Sequence, residues 1–360
     1  MHQHAQSIQP RIPVAVLGAT GMVGQRFVAL LQGHPWFEIV ALAASGRHGG
    51  RTYAEATHWR LSGSEMPASV ATLPVVPCQP EALPAVKIVF SALPAEIAGE
   101  IELAFAHAGV AVFSNAKNHR MAPDVPLLIP EVNADHVAAI VQQRRQRGWS
   151  GSIVTNANCC ATPLVMALKP LQAAFGVRKV LVTTMQAISG AGYPGLPSYD
   201  ILDNVIPYIG GEEEKLEIET LKMLGEWEEG RGFIDAPMVV SAQCNRVATR
   251  EGHLECVSIE LERDATAKDI LTVWESYVAE PQQLKLPTAP ERALLYRHEV
   301  DRPQTLRDRD AGNGMTVTLG RLRRCPILSY KFVILGHNTI RGAAGGSILN
   351  AELYVSKGLI

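Results

Sequence analysis

An apolar, strand-like run that ends in three regularly spaced glycines constrains the fold of this chain more than any other feature. The run Val14–Leu17 leads into Gly18, Gly21 and Gly24, and a helix-like apolar stretch, Val23–Leu31, follows. The first glycine permits a tight bend, the second lets backbone N–H groups approach a phosphate, and the third permits close helix packing. Because the turn follows the first predicted strand, it predicts dinucleotide binding; the alternative is a merely structural turn.

Short β-rich runs continue to alternate with helical stretches, which predicts a Rossmann-like parallel sheet covered by helices, an α/β fold. After the adjacent cysteines, longer extended runs predict an α+β domain with a mixed or antiparallel sheet. The stretch Gly342–Tyr354 is apolar at helical spacing and is predicted to pack back on the first domain. We therefore expect a nucleotide-binding domain over residues 1–157, completed by a helix at about 340–360, and a second domain over 158–339.

The composition favours small-molecule substrates. The chain has 360 residues, 47% of them hydrophobic, with 33 lysines and arginines against 35 acids and a formal charge of −2. It can bury a full core, and its balanced charge offers no argument for a nucleic-acid or membrane partner. Met1–Pro10 lacks the apolar core of a signal peptide, and no run approaches the roughly 18 apolar residues of a membrane span, so we expect the cytoplasm.

The segment after the second predicted strand indicates which cofactor binds. NAD sites usually place an acid about 20 residues after the glycine turn, where it binds the ribose 2′-hydroxyl. Here the segment Ala43–Arg51 contains no acid but offers Ser45 and Arg47, which suit a 2′-phosphate. We therefore predict NADP; if these side chains lie on a solvated loop, the choice of cofactor stays open.

Cys159 is the strongest candidate nucleophile, because it stands where a β-like run gives way to a helix-like run that begins at Ala161. The first turn of a helix presents unpaired N–H groups and the positive end of the helix dipole, which stabilise a thiolate. The alternative is that Cys159 and Cys160 are small buried apolar residues. The six cysteines form neither a disulfide framework nor a paired CxxC zinc pattern, so we expect reduced thiols and no metal.

Two further residues supply the other chemistry that a thiol attacking an acyl carbon requires. Arg246 ends one strand-like run and His253 begins the next, so we expect both to face one cleft across a hairpin. Arginine binds a carboxylate through two parallel hydrogen bonds, and histidine titrates near neutral pH. Taken alone, a histidine after a turn glycine is more often a surface residue.

Six motifs in a fixed order relate the chain to a known family. In that order and combination, the chain resembles the aspartate-β-semialdehyde dehydrogenases, most of all their archaeal and fungal branch, from about residue 12 to the C-terminus. The motifs are Gly18–Gly24, Ser114–Arg120, Asn156–Cys159, Gln186 with Ser189–Gly195, Asn245–Arg246 with Gly252–His253, and Gly336–Gly342.

The resemblance implies a role for each site residue. Cys159 is the nucleophile, Gln186 orients the acyl intermediate, His253 is the acid/base, and Arg246 binds the substrate α-carboxylate. Arg120, Glu212 and Lys215 match positions that hold the substrate phosphate and amino group; without the resemblance, the charged run Glu212–Lys215 is best interpreted as a solvated helix start. The expected cofactor contacts are Gly18, Thr20, Gly21, Met22, Val23, Ser45, Arg47, Ser91, Gly190 and Asn338.

Two positions depart from the family pattern next to the nucleophile. Ala157 replaces a proline, whose fixed φ is lost, and Cys160 replaces a serine or threonine, which removes a good hydrogen-bond donor. Neither change removes the nucleophile.

The activity implied is NADP-dependent reductive dephosphorylation of L-4-aspartyl phosphate to L-aspartate 4-semialdehyde through a cysteine thioester, in amino-acid biosynthesis. The nearest alternative is a CoA-acylating reductase, because the same thioester chemistry begins equally well from an acyl-CoA. A third is an NADP-binding redox sensor that uses Cys159 and Cys160 as a thiol switch. The family resemblance also implies a homodimer or homotetramer, with the second domain, catalytic in function, supplying the dimer interface.

Overall fold

A computed structural model of the chain describes residues 10–44 and 50–360, so the predicted contacts Ser45 and Arg47 lie outside the described residues. The strands are β1 (Ile12–Leu17), β2 (Phe37–Ala44), β3 (Val75–Pro77), β4 (Ile88–Ser91), β5 (Ala111–Ser114), β6 (Ser152–Thr155), β7 (Val177–Gln186), β8 (Glu226–Glu228), β9 (Gly232–Ile234), β10 (Val239–Arg246), β11 (His253–Leu261), β12 (Leu294–Arg297), β13 (Val317–Arg324) and β14 (Tyr330–Gly336).

Helices connect and cover these strands, and a π-helical turn over Ile340–Ala344 leads into the last of them. They are α1 (Met22–Leu31), α2 (Tyr53–Ala56), α3 (Ala68–Ala71), α4 (Ala95–His107), α5 (Pro130–Asn133), α6 (Ala139–Arg147), α7 (Ala161–Phe175), α8 (Ser198–Ile201), α9 (Glu212–Leu224), α10 (Ala267–Glu275), α11 (Glu280–Gln283), α12 (Thr305–Asp308) and α13 (Gly345–Ser356). Among the described residues, none of these helices has both the length and the apolar character to cross a membrane.

The first sheet is parallel, in the order β3-β2-β1-β4-β5-β6, which confirms the predicted Rossmann-like α/β fold. Its strands are almost wholly buried because helices cover both faces. On one face Phe27 of α1 stacks on Phe90 of β4 at 5.1 Å between ring centroids. Tyr354 of α13 meets Phe113 of β5 edge to face, so the C-terminal helix does pack on this sheet. The domain boundaries at residues 157 and 340 stay a prediction.

The glycine turn after β1 requires glycine for two different reasons. Gly18 has φ +73°, and a Cβ added there would lie 2.7 Å from the carbonyl oxygen of Ala92. A Cβ at Gly24 would lie only 2.2 Å from the carbonyl oxygen of Gly18, because α1 begins directly against the end of β1. Larger residues would separate the helix from the sheet, so the turn keeps its bare backbone at the carboxyl end of the first strand.

The second sheet is mixed, in the order β10-β7-β11-β14-β13-β12. Helices α7, α9 and α10 pack on its inner face, and the outer face exposes apolar residues such as Leu181 and Val239. The hairpin expected between Arg246 and His253 is wrong, because β7 lies between their two strands, parallel to β10 and antiparallel to β11. The two residues still reach the same end of the sheet, because β10 ends where β11 begins.

Candidate active site

Cys159 lies in the turn between β6 and α7, as the sequence predicts. The side-chain oxygen of Asn158 accepts hydrogen bonds from the backbone N–H groups of Cys160 (2.8 Å) and Ala161 (3.2 Å). Asn158 therefore caps the first turn of α7 in the manner of an N-cap residue, with Ala157 rather than a proline before it. The cap fixes the turn from which the thiol projects.

The surroundings of Cys159 favour its thiolate. A hydrogen bond from the Cys160 thiol and the nearby His253 hold the pKa of Cys159 well below its usual range, although burial and the charge of Glu212 act against them. Burial raises the pKa of Cys160 well above its usual range, so that the neighbour keeps its proton and can donate it in a hydrogen bond.

His253 is fully buried at the start of β11, with Nε2 3.2 Å from Cys159 Sγ. Its other ring nitrogen, Nδ1, accepts a hydrogen bond from the backbone N–H of Ala187 at 3.0 Å. The ring is thus bound at both nitrogens and has one orientation.

Gln186 and Arg246 end two neighbouring parallel strands and are paired in register. Both line a cavity of about 410 Å³ that Cys159 and Glu212 also line. A Cβ added at Gly190 would lie 2.8 Å from Arg246 Nη1 and 3.2 Å from His253 Nε2, so these side chains converge on one point. The structure therefore brings the predicted nucleophile, its histidine and the carboxylate-binding arginine into one cleft.

Helix α9 presents a buried charged stripe to this cleft, which the sequence interpretation found only in part. Glu212 accepts hydrogen bonds from Asn158 Nδ2 (2.8 Å) and from Lys215. Glu219 and Lys222 lie one and two turns after Lys215, on the same helix face, and are buried. The signal in the sequence was the spacing of 3 to 4 residues between these charges, which also fits an exposed helix.

Glu219 connects the predicted phosphate arginine to the nucleophile turn. Its Oε1 accepts from Arg120 Nη1 at 2.8 Å, and its Oε2 accepts from the backbone N–H of Asn158 at 2.6 Å. Lys222 donates to the carbonyl oxygens of Arg120, Ala122 and Val125 at 2.7 to 3.0 Å. Two residues of one helix thus fix both Arg120 and the residue before Cys159, and neither was predicted.

A second cavity, of about 390 Å³, connects Cys159 with the glycine turn of the first sheet. Of the predicted cofactor contacts, Val23, Gly190 and Asn338 line it, together with Arg120. Asn338 is held in place, because it accepts from the N–H of Gly252 (2.9 Å) and donates to Ser189 Oγ (2.8 Å). A cavity between a glycine turn and a nucleophile fits the nicotinamide end of a dinucleotide.

The remaining predicted cofactor contacts are placed less directly. Gly18, Thr20 and Gly21 form the turn itself, and Met22 lines a neighbouring cavity beside Tyr193. The hydroxyl of Ser91 is buried and donates to a Glu102 oxygen at 2.6 Å, so a cofactor contact by this hydroxyl stays a prediction.

Glu255 is a further buried group that the sequence interpretation missed. It follows His253 by two residues on the inner face of β11, and its carboxyl oxygens have no hydrogen-bond partner among the described residues. Burial, and then the nearby charge of Cys159, raise the pKa of Glu255 well above the usual range. An acid at an inward position of an alternating strand was the available signal.

Comparisons with known proteins agree with this geometry. A family model described as the NAD binding domain of semialdehyde dehydrogenase matches residues 13–140, and one described as its dimerisation domain matches residues 168–341.

Relatives of similar length share much of the sequence. An aspartate-semialdehyde dehydrogenase of Archaeoglobus fulgidus is 51% identical over 97% of this chain and 100% of its own, and one of Schizosaccharomyces pombe is 48% identical over 96% and 99%.

Two solved structures extend the comparison. The Candida albicans aspartate semialdehyde dehydrogenase, described as with NADP, has a TM-score of 0.90 at 43% identity, covering 98% of this chain and 100% of its own. A second enzyme of this name from Vibrio cholerae, described as complexed with ASA, has a TM-score of 0.74 at 27% identity, covering 97% and 99%. This chain is therefore a member of the aspartate-semialdehyde dehydrogenase family.

Proposed function

We propose that the chain catalyses the reversible, NADP-dependent reductive dephosphorylation of L-4-aspartyl phosphate to L-aspartate 4-semialdehyde, a reaction of amino-acid biosynthesis. One observation supports this most: Cys159 Sγ, 3.2 Å from His253 Nε2, lies where the cavity of Arg246 meets that of Arg120. Two arginines on either side of a nucleophile suit a substrate that carries both a carboxylate and an acyl phosphate. The names of the relatives support the same substrate.

In the first step, the Cys159 thiolate attacks the acyl carbon, a C–S bond forms, and the C–O bond to phosphate breaks. Arg246 binds the α-carboxylate, and Gln186 orients the acyl group from the same cavity. Arg120 and Lys215 hold the phosphate, each already paired with a carboxylate of α9 that fixes its position. The covalent capture divides one difficult reduction into two easier steps.

The cofactor site fits a dinucleotide, because the bare backbone of Gly18 and Gly21 stands at the end of β1 and a cavity runs from Val23, just after that turn, to the thiol. When bound, NADPH supplies the hydride that reduces the thioester carbonyl. Val23 and Asn338, which line the cavity next to Cys159, would hold its nicotinamide end. The C–S bond then breaks, the aldehyde leaves, and Cys159 regains its thiolate.

NADP rather than NAD is proposed on two grounds. The segment Ala43–Arg51 contains no acid, and the Candida albicans relative is described as with NADP. A ratio of kcat/KM for the two cofactors well above one is the expected result. Equal kcat/KM values for NADP and NAD would indicate that no group of this chain binds the 2′-phosphate.

The decisive experiment uses the reverse reaction. Purified protein is mixed with NADP and L-aspartate semialdehyde, with either phosphate or CoA as the acyl acceptor, and NADPH formation is followed by absorbance. We expect NADPH only with phosphate. Activity with CoA alone would establish the CoA-acylating reductase, and no activity with either would favour the redox-sensing alternative.

The outer face of the second sheet supports assembly into a homodimer, or a homotetramer built from dimers. Leu181 is 48% exposed and Val239 64% exposed on this face, where strands of a monomer would normally carry polar residues. The matching dimerisation-domain model covers the same sheet. Sedimentation equilibrium should give a mass of at least two chains, and Leu181→Glu should lower it. The cytoplasmic location stays a prediction from the sequence.

A further inference from the structure

The proposed reaction uses the thiol of Cys159 and gives that of Cys160 no covalent role. Both cysteines are free thiols, and their Sγ atoms lie within 4.8 Å of each other. A hydroxyl at position 160 would also donate a hydrogen bond, but only a thiol can form a covalent bond with an oxidised sulfur beside it. The second thiol therefore adds redox chemistry to the nucleophile turn.

The two thiols differ in how a small solute reaches them. Cys159 is partly exposed and lines both cavities of the site, of about 410 and 390 Å³. Cys160 is fully buried and is not among the described residues that line either cavity. An oxidant that enters the cleft therefore meets Cys159 first, and Cys160 is oxidised through its neighbour.

The two thiols also differ in reactivity. The hydrogen bond from Cys160 and the nearby His253 hold the pKa of Cys159 well below its usual range, whereas burial raises the pKa of Cys160 well above it. A thiolate attacks a peroxide, and a protonated thiol does so only slowly. The pair thus combines one sulfur that is readily oxidised with one that stays reduced beside it.

We propose that Cys160 is a resolving thiol for Cys159: when a peroxide oxidises the nucleophile, Cys160 captures the product as a disulfide between the two adjacent residues. With hydrogen peroxide, an S–O bond forms on Cys159, the O–O bond breaks and hydroxide leaves, so the sulfur is oxidised to a sulfenic acid and the peroxide is reduced. The Cys160 sulfur then attacks the Cys159 sulfur, the S–S bond forms and the S–O bond breaks. The departing hydroxide takes the proton of Cys160 and leaves as water.

This disulfide would be strained, which makes it easy to reverse. The two cysteines are joined by a trans peptide, so their Cα atoms are about 3.8 Å apart, whereas ordinary disulfides join Cα atoms about 4.4–6.8 Å apart. A strained disulfide is reduced more easily by a dithiol than a structural one. The pair would thus protect the nucleophile from sulfinic and sulfonic acids, which thiols do not restore.

The first test follows the tryptic peptide that spans residues 148–169 and carries both cysteines. Reduced protein is treated with hydrogen peroxide, then with iodoacetamide, and the peptide is analysed by mass spectrometry. In wild type we expect the peptide to lose the mass of two hydrogen atoms and to resist alkylation until dithiothreitol is added. Oxygen atoms on Cys159 without this loss, or a disulfide from Cys159 to a different cysteine, would overturn the proposal.

Cys160→Ser is the informative variant, because it keeps the size of the side chain and a hydrogen-bond donor but removes the resolving sulfur. Its peptide should gain the mass of two or three oxygen atoms on Cys159, which dithiothreitol does not remove. Cys256→Ser, at an exposed cysteine of β11, should behave as wild type does. If Cys160→Ser were protected from these oxygen additions as well as wild type, Cys160 would have no resolving role.

Trapping of the intermediate gives a second readout. Dimedone, which labels sulfenic acids, should label Cys159 about fivefold or more in Cys160→Ser compared with wild type, because the sulfenic acid persists without its partner. Equal labelling would contradict capture by Cys160. Thermal melts show whether the variant folds, and Cys160→Thr repeats the test with a different hydroxyl; if neither folds, the wild-type peptide still decides.

Enzyme activity relates this chemistry to the proposed function, on which only this readout rests. Dithiothreitol should restore most of the NADPH formation of oxidised wild type and about tenfold less in Cys160→Ser. Equal recovery in both proteins would argue against protection by Cys160. The mass measurements use no aspartate substrate, so they stand or fail independently of the proposed function.

Discussion

At the scale of single residues, Cys159 forms and breaks the only covalent bond to substrate in the proposed reaction, yet its side chain supports no part of the core. We expect Cys159→Ala to lower turnover by about 10⁴-fold or more while NADP affinity stays nearly unchanged. NADPH formation and cofactor titration by fluorescence measure the two quantities. Cys256→Ser, at an exposed cysteine of β11, is the matched control. Substantial residual turnover in the alanine variant would remove Cys159 from the mechanism.

Arg246 shows how geometry rather than charge decides a residue's role. Its Nη1 already donates to the carbonyl of Ala187, which orients the rest of the guanidinium in the cavity. A lysine keeps the charge but cannot make two parallel hydrogen bonds to a carboxylate. We expect Arg246→Lys to raise KM for the semialdehyde about tenfold or more, with a smaller effect on kcat. An unchanged KM in steady-state assays would refute carboxylate binding by this residue.

At the scale of elements, α9 organises the site more than any other helix, because Glu219 bridges Arg120 and the turn before Cys159. Glu219→Gln keeps the size of the side chain but leaves Arg120 without its charged partner. We expect KM for phosphate in the oxidative direction to rise about tenfold, since buried charge-assisted hydrogen bonds contribute about 1.5–3 kcal/mol.

The control for this variant lies on the same helix. Glu214→Gln, at an exposed position of α9, should leave KM for phosphate unchanged, and thermal melts of both variants show whether α9 still folds. If Glu219→Gln folds and keeps its KM, the bridge does not position Arg120 for catalysis.

The same helix shows where prediction from sequence ends. The charges at Glu212 and Lys215 fit a solvated helix start equally well, and only the family resemblance selected them. Glu219 and Lys222 stayed unnoticed because their partners, Asn158 and Arg120, lie about 60 and 100 residues earlier. Local spacing describes which residues share a helix face, but it does not say which distant backbone groups that face will meet.

At the scale of the whole molecule, local sequence patterns were enough to predict the arrangement of the first sheet, but they did not predict the strand topology of the second. The glycine turn and the βα alternation act between sequence neighbours, so a parallel sheet covered by helices could be predicted. The insertion of β7 between β10 and β11 pairs Gln186 with Arg246, 60 residues away, and no adjacent pattern indicates it. The cleft was nonetheless predicted, because Arg246 and His253 end up at one sheet end in either topology.

The two sheets are also tied together by a charged contact whose strength depends on pH. Arg26 on α1 donates to Glu251, just before β11, at 2.7 Å, and Glu251 also contacts His337 and Thr339. Burial alone would raise the pKa of Glu251, but the hydrogen bond from His337 and the charge of Arg26 lower it to about 2. The carboxylate joins α1, which follows the glycine turn, to the strand that carries His253.

A depressed carboxyl pKa stabilises the fold above the unfolded-state pKa, and the contribution is lost as pH falls through the folded value. For Glu251 the window runs from its ordinary pKa of 4.5 down to about 2. We expect Glu251→Gln to lower the free energy of unfolding at neutral pH by up to roughly 3 kcal/mol, with the difference vanishing toward the acid end of that window. Urea denaturation at several pH values measures it, with Glu38→Gln, in an exposed pair with Arg11, as the matched control. A stability difference that stayed constant across this range would show that the contact does not depend on the charge of Glu251.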